Sequence, residues 1–260
     1  MKFSVIMTVY NRPQLALMNT LSKLGANDFS DGEVIIVDDG STLPYEPLVS
    51  TFADHIPIRW ERVDTVADRE GTYNIDGHNN PAYAANCGLE MAKGEFIFWM
   101  SSDVMLPPQI IHRAFDLNLE QVAWMPCVVD LDTNQTYLGP DRMVPLGWFY
   151  GVHRKHLEEI GGWDEEYLKG IAFEDNDIMC RLGHQVGRFV IDKQVVAWHQ
   201  SHPQTAYSDE LAGWNLNQKY TLEKHGSIPF NAGCPLEKQL TEINHQMILD
   251  MKMRSLLVKP

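Results

Sequence analysis

The sequence predicts an α/β fold: a central, mostly parallel sheet flanked by helices, with a helical extension at the C-terminal end. Two observations carry this. Short apolar runs alternate with helical patterns over the first half, which argues for parallel strands joined by right-handed crossovers. Two of those runs also end in acids. Val34-Ile35-Ile36-Val37 leads into Asp38-Asp39-Gly40-Ser41, and Phe96-Ile97-Phe98-Trp99-Met100 leads into Ser101-Ser102-Asp103. The C-terminal ends of buried parallel strands are where open α/β sheets bind ligands. A third acidic cluster, Glu174-Asp175-Asn176-Asp177, follows Gly161-Gly162-Trp163-Asp164-Glu165.

The elements follow in order. Residues 3–9 are a β-branched run and read as a buried strand. Asn11-Arg12-Pro13 opens a helix over 13–25, with proline in its first turn. After a turn comes the strand 33–37, a short helix at 44–54 and a strand at 56–62; 64–80 reads as a loop. Ala82, Ala85, Leu89 and Ala92 mark a helix over 81–93, stopped at Lys93-Gly94. The strand 95–100 precedes a helix expected from Pro107-Pro108 to about residue 119. A strand at 122–129, a polar excursion at 130–145, the segment 148–152 and a helix at 154–160 come next. Gly161-Gly162 is a turn, 174–182 a helix, and 186–198 strand that ends at His199. Residues 208–224 and 235–257 read as two further helices. Domain boundaries are expected at 1–204 for the α/β domain, its halves meeting near 105, and 205–260 for the extension.

Composition limits the function. The 260 residues carry 44% apolar side chains, enough for a real core, and a net charge of 21 − 35 = −14. That balance argues against a chain that mainly grips a nucleic-acid backbone, which needs clustered Lys and Arg. A phosphorylated small molecule stays open, because a bound cation can supply the positive charge. The four cysteines, Cys87, Cys127, Cys180 and Cys234, are far apart and signal neither a zinc site nor a disulfide framework. No apolar run reaches transmembrane length, and the first residues are too short a run for a signal peptide, so a cytoplasmic chain is expected. Leu236, Leu240, Ile243, Met247, Ile248 and Met251 recur at helical spacing. This stripe suits packing on the domain or on a second copy, a possible homodimer.

Several of these residues, taken together, have a family likeness. Phe3-Ser4-Val5-Ile6-Met7-Thr8-Val9-Tyr10-Asn11-Arg12, the Asp-Asp-Gly-Ser strand end, the helix at 81–93, the stretch 151–187 and Trp198-His199 occur in a fixed order. The set resembles the family 2 glycosyltransferases of GT-A type, whose sheet is Rossmann-like. The resemblance covers about residues 3–202. It implies transfer of a sugar from a nucleoside-diphosphate sugar, most commonly a UDP-sugar, to an acceptor hydroxyl such as that of a glycan. This chain departs from the pattern in three places. The proline before Tyr10-Asn11 is absent, Ala85 stands for an arginine, and Ser101 stands for the first acid of the Asp-x-Asp motif.

The residues can be assigned on that basis. A leaving diphosphate is stabilised by Mn²⁺ or Mg²⁺ on hard oxygen ligands. Asp103 and His199 are the expected metal ligands, with His202 an alternate; the loss of an acid at 101 implies a weaker metal site. Without a ligand, Asp103 would be an ordinary helix N-cap. Thr8, Tyr10, Arg12, Asp38, Asp39, Ser101 and Ser102 are the expected nucleotide contacts. Asp175 is the expected general base of an inverting transfer, with Glu174 beside it orienting the acceptor. Their bland role is that of first-turn acids favoured by the helix dipole. Trp163 is expected to stack on an acceptor sugar. A retaining transferase and a non-catalytic nucleotide- or glycan-binding relative remain as alternatives. A nucleotidyltransferase does not fit, because no glycine-rich basic loop follows the first strand.

Overall fold

A computed structural model describes residues 2–63, 80–116, 119–139, 145–201 and 211–230. In chain order the strands are β1 (Phe3–Val9), β2 (Gly32–Asp38), β3 (Ile58–Arg62), β4 (Phe96–Ser101), β5 (Val104–Met105), β6 (Ala123–Asp130), β7 (Thr136–Leu138), β8 (Phe149–His153) and β9 (Phe189–His199). The helices are α1 (Gln14–Leu24), α2 (Glu46–Ser50), α3 (Ala82–Met91), α4 (Ile110–Ala114), α5 (Arg154–Glu159), α6 (Glu174–Val186) and α7 (Leu211–His225). A 3-10 turn, Glu165–Lys169, lies between α5 and α6.

One sheet runs through the molecule in the order β3-β2-β1-β4-β8-β6-β9-β5, with β7 on β6. The β3-β2-β1-β4 half is parallel, as the alternating pattern requires. Beyond β4 the pairing is mixed: β8 runs antiparallel to β4, and β6 and β9 are parallel to each other. Two residues separate β4 from β5, yet β5 lies at the far edge beside β9. The far edge therefore curls back onto the end of β4, and this closure builds the site described below.

Inside the parallel half, β2 is buried throughout and β1 and β4 nearly so, while β3 at the edge is partly exposed. Small residues on α3, among them Ala82, Ala84, Ala85 and Gly88, let that helix sit close on β1 and β2. Phe98 and Phe149 stack at 5.8 Å across β4 and β8, and Trp124 meets Phe149 edge-on at 6.1 Å. Fully burying one such side chain contributes about 1.5–3 kcal/mol. Gly161 and Gly162 have φ of +78° and +69°, the left-handed turn the Gly-Gly pair supplies after α5.

Three expectations are corrected. The helix expected over 107–119 is confined to Ile110–Ala114, because Gln109 takes a left-handed φ of +63° after the two prolines. The polar excursion at 130–145 contains β7. The helix expected at 174–182 continues to Val186, where Gly187 ends it with a left-handed φ of +66°. Two elements were too short to leave a pattern: β5 and the turn Glu165–Lys169. The helix expected over 208–224 is present as α7. The loop 64–79, His202 and the stripe from Leu236 onward lie outside the described residues. Among the described residues, no helix is long and apolar enough to cross a membrane.

Candidate active site

The parallel register aligns three of the expected nucleotide residues at one sheet end. Thr8 pairs with Ser101 on one side, and Val9 pairs with Asp38 on the other. Asp38 is 1% exposed, with Oδ1 accepting from Ser41 N at 2.9 Å and Oδ2 lying 3.1 Å from Arg62 Nη1. It fastens the Asp-Asp-Gly-Ser turn from beneath, while Gly40 supplies a φ of +80°. The Asn11 backbone, at φ +44°, locks onto the same turn. Its N–H donates to Ser41 Oγ at 3.0 Å, and its Oδ1 accepts from Thr42. Tyr45 Oη donates to the carbonyl of Arg12. These bonds carry Arg12 across the strand ends.

Arg12 meets Asp103 there. Its Nη2 lies 3.1 Å from Asp103 Oδ2, while Ser101 Oγ donates to Asp103 Oδ1 at 2.7 Å. His199 Nε2 is 3.6 Å from the same Oδ2. The two expected metal ligands, 96 positions apart in the chain, are thus brought together by the β5–β9 pairing. Asp130, which the sequence reading missed, completes the group: its Oδ2 lies 3.4 Å from His199 Nδ1 and accepts from Ser201 Oγ. Amide and hydroxyl donors from Thr133, with Ser201 and His199, hold the Asp130 carboxyl far below its usual range despite burial. Burial alone disfavours charge on His199, but the hydrogen bonds and charges of Asp103 and Asp130 outweigh it and raise its pKa. A carboxylate behind a ligating imidazole fixes ring orientation. Ser102 is buried, and its carbonyl accepts from Thr20 Oγ1 of α1 at 3.0 Å.

The residues fit a hard divalent ion in part. One carboxylate oxygen and one imidazole nitrogen face each other at 3.6 Å, close to the roughly 3 Å between neighbouring donors of an octahedral ion with ~2.1 Å bonds. Among the described residues, no third His, Cys, Asp or Glu side chain joins them in a ready-made metal cluster. Remaining positions would fall to phosphate oxygens and water, the usual habit of Mg²⁺ at nucleotide sites.

The third acidic cluster opens α6. Ala172 and Phe173 precede it at φ +60° and +70°, a left-handed bend in two non-glycine residues costing about 1–3 kcal/mol each. The bend is held from α7. Asn217 Nδ2 donates to the carbonyls of Tyr167 and Ala172 at 2.8 and 2.9 Å, and Trp214 packs on Phe173 at 4.7 Å. Glu174 then accepts from Asn80 Nδ2 at 2.8 Å, and Asp175 Oδ1 accepts from Asn176 N at 2.7 Å. Burial pushes both carboxyls above their ordinary range, and the charge of Asp175 adds to the shift at Glu174. Asp177 behaves oppositely. Burial opposes its charge, but bonds from His225, Arg181 and Lys224 pull it down to about 2 and tie α6 to α7.

Two consecutive residues join these chemistries. Gly147 lies beside Asp175, whose Cβ is 3.5 Å from where a Gly147 Cβ would be, and its carbonyl accepts from Trp99 Nε1 at 2.9 Å. Trp148 covers His199 edge-on at 5.0 Å, and its carbonyl accepts from Ser101 N at 2.9 Å. The expected role of Trp163 needs correction. Its ring is 3% exposed and lies against Trp99 at 4.7 Å, so it backs the Trp99–Gly147 contact and offers no open face to a sugar. Asn86 braces it through both main-chain groups. A cavity of about 680 Å³ between Pro107, Arg113, Val196 and Trp198 contains none of these acids.

Comparison with known proteins identifies the family and the fold. The model of glycosyl transferase family 2 matches residues 4–161. The chain belongs to that family and has the GT-A type of fold. An uncharacterized glycosyltransferase of Bacillus subtilis, YfnE, is 22% identical over 88% of this chain and 71% of its own length. The hyaluronan synthase of Pasteurella multocida is 27% identical, but over 54% of this chain and 12% of the synthase. Staphylococcus aureus TarS 1–349 in complex with UDP-GlcNAc superposes with a TM-score of 0.62 at 16% identity, covering all of this chain and 74% of that one. Mannosyltransferase PcManGT from Pyrobaculum calidifontis, with GDP-Man and Mn²⁺, gives 0.59 at 17% identity over 98% of this chain and 74% of that one.

Proposed function

We propose that this chain transfers a sugar from a nucleoside-diphosphate sugar, a UDP-sugar first among them, to an acceptor hydroxyl, with inversion. The observation that carries the reading is the Gly147-Trp148 link, which connects an acid pair with raised pKa values to the Asp103–His199 corner. Thr8, Tyr10, Arg12, Asp39 and Ser101 line the nucleotide side. Asp103 and His199 would hold Mn²⁺ or Mg²⁺, which when bound neutralises charge on the leaving diphosphate. Asp175 takes the proton of the acceptor hydroxyl as the new glycosidic bond forms. A carboxylate held above its ordinary pKa is a stronger base than a solvated one, which suits that step. Glu174, fixed by Asn80, orients the acceptor. Neighbouring structures with UDP-GlcNAc and GDP-Man support the donor class.

The test has two parts. Calorimetry with UDP, GDP, CDP and ADP, each with and without Mn²⁺, identifies the nucleotide. Transfer from the matching sugar nucleotide is then compared in wild type and Asp175→Asn. The expected result is unchanged nucleotide affinity with turnover lower by about 10²–10⁴, the range for loss of a general base. Full turnover in the variant would remove Asp175 from the role.

A further inference from the structure

We propose that Arg12 is a resident cation for Asp103, so that a divalent ion and the guanidinium compete for one carboxylate. This rests on the transferase reading and adds an order of events to it. Both oxygens of Asp103 are engaged: Oδ1 by the Ser101 hydroxyl, Oδ2 by Arg12 Nη2 at 3.1 Å. That Oδ2 is also the atom facing His199, the one an ion bridging the pair would need. Metal entry therefore requires Arg12 to turn aside.

A reason for Arg12 to turn is present in the same geometry. Its Nε is buried without a hydrogen-bond partner, a donor left over after the pairing with Asp103. Leaving such a donor unmet is unfavourable, because it loses its hydration without a replacement. A diphosphate offers acceptor oxygens, and planar guanidinium groups bind phosphate through paired N–H donors. The side chain is 24% exposed, so it can move without breaking the core. Its backbone is fixed through Asn11 and Tyr45, so movement is confined to the side chain. Ser101 fits this arrangement. It contributes no second negative charge beside Asp103, so the guanidinium meets one carboxylate at this position and not two. Nucleotide and metal then bind with positive coupling: the diphosphate draws Arg12 away, and Asp103 takes the ion in its place.

The test measures Mn²⁺ binding by electron paramagnetic resonance and calorimetry, with and without UDP, in wild type, Arg12→Gln and Arg12→Lys. In wild type, UDP is expected to tighten Mn²⁺ markedly. Removing the nearby positive charge in Arg12→Gln should tighten Mn²⁺ in the absence of UDP by about tenfold or more, given the strength of charge pairs at such distances. The same variant should weaken UDP and shrink the coupling between the two ligands. Arg12→Lys keeps a cation and should keep Mn²⁺ weak. Equal Mn²⁺ affinity in wild type and Arg12→Gln, with UDP still binding both, overturns the competition and leaves the transferase reading standing. If Mn²⁺ and every nucleoside diphosphate fail to bind wild type, the reading and the inference fall together.

Discussion

At the scale of single residues, the two carboxyls that open α6 work against the stability of the fold. Each has its pKa raised by burial, so the native chain holds their protons more tightly than the unfolded chain does. Stability from this source is full below the ordinary carboxylate range. It is lost as pH rises through the raised range of the pair. Glu174→Gln cannot ionise and keeps an oxygen to accept from Asn80. The variant should therefore melt higher than wild type above that window, by about 2–4 °C, the worth of 1 kcal/mol in a domain of this size. At pH 4 the two should melt together. An equal difference at pH 4 and pH 9 would mean that ionisation of Glu174 is not the cause. Transfer by the variant should fall most above the raised range of Glu174, where the wild-type side chain carries a charge and the glutamine does not. A stability gain joined to an activity loss is what a residue kept for function shows.

At the scale of elements, α7 braces the bend that opens α6. The sequence shows α7 as a helix of mixed character, and its pattern does not say where it docks. In the structure Asn217, 1% exposed, holds the carbonyls that flank the left-handed Ala172-Phe173 bend. Gly170 allows the close approach: a Cβ there would lie 2.3 Å from the Gly213 carbonyl oxygen. Asn217→Ala removes two buried bonds and is expected to cost about 1–3 kcal/mol in denaturant unfolding. It should also lower kcat while leaving UDP affinity unchanged, since the bend aims Asp175 and does not touch the nucleotide side. Weakened UDP binding with unchanged kcat would place α7 on the wrong side of the reaction. The same contrast explains what was legible. Strand ends with acids, and the order of the motifs, can be read because each is local in the chain. Asp130 could not be read as part of the site. It begins a polar turn, and only the long-range pairing of β6 with β9 brings it behind His199. The Ala172-Phe173 bend was equally hidden, because neither residue type announces a positive φ. Trp163 misled for the opposite reason: its place beside the acid motif was visible, but its burial against Trp99 was not.

At the scale of the whole molecule, the curl of the sheet makes one cooperative unit of two halves that look separable in sequence. The parallel half ends at β4, and five residue pairs join β4 to β8. The chain then leaves β4 for two residues and pairs again at the opposite edge, Val104 with His199. Asp103 sits in that short span, so the pairing of Asp103 with His199 exists only while both connections hold. Separating the halves would break the β4–β8 pairs, expose the Phe98–Phe149 stack and part Asp103 from His199 together. Unfolding should therefore be a single transition, with far-UV dichroism and tryptophan fluorescence superimposing, since Trp99 and Trp124 lie on the two sides of β8. UDP with Mn²⁺ at a hundred times its Kd should add about 2.7 kcal/mol and move both signals equally, because binding is linked to the one folded state. Two transitions, with the ligand shifting only the first or only the second, would show that the halves fold independently. The site would then be an interface between two stable bodies and not a product of the sheet's closure.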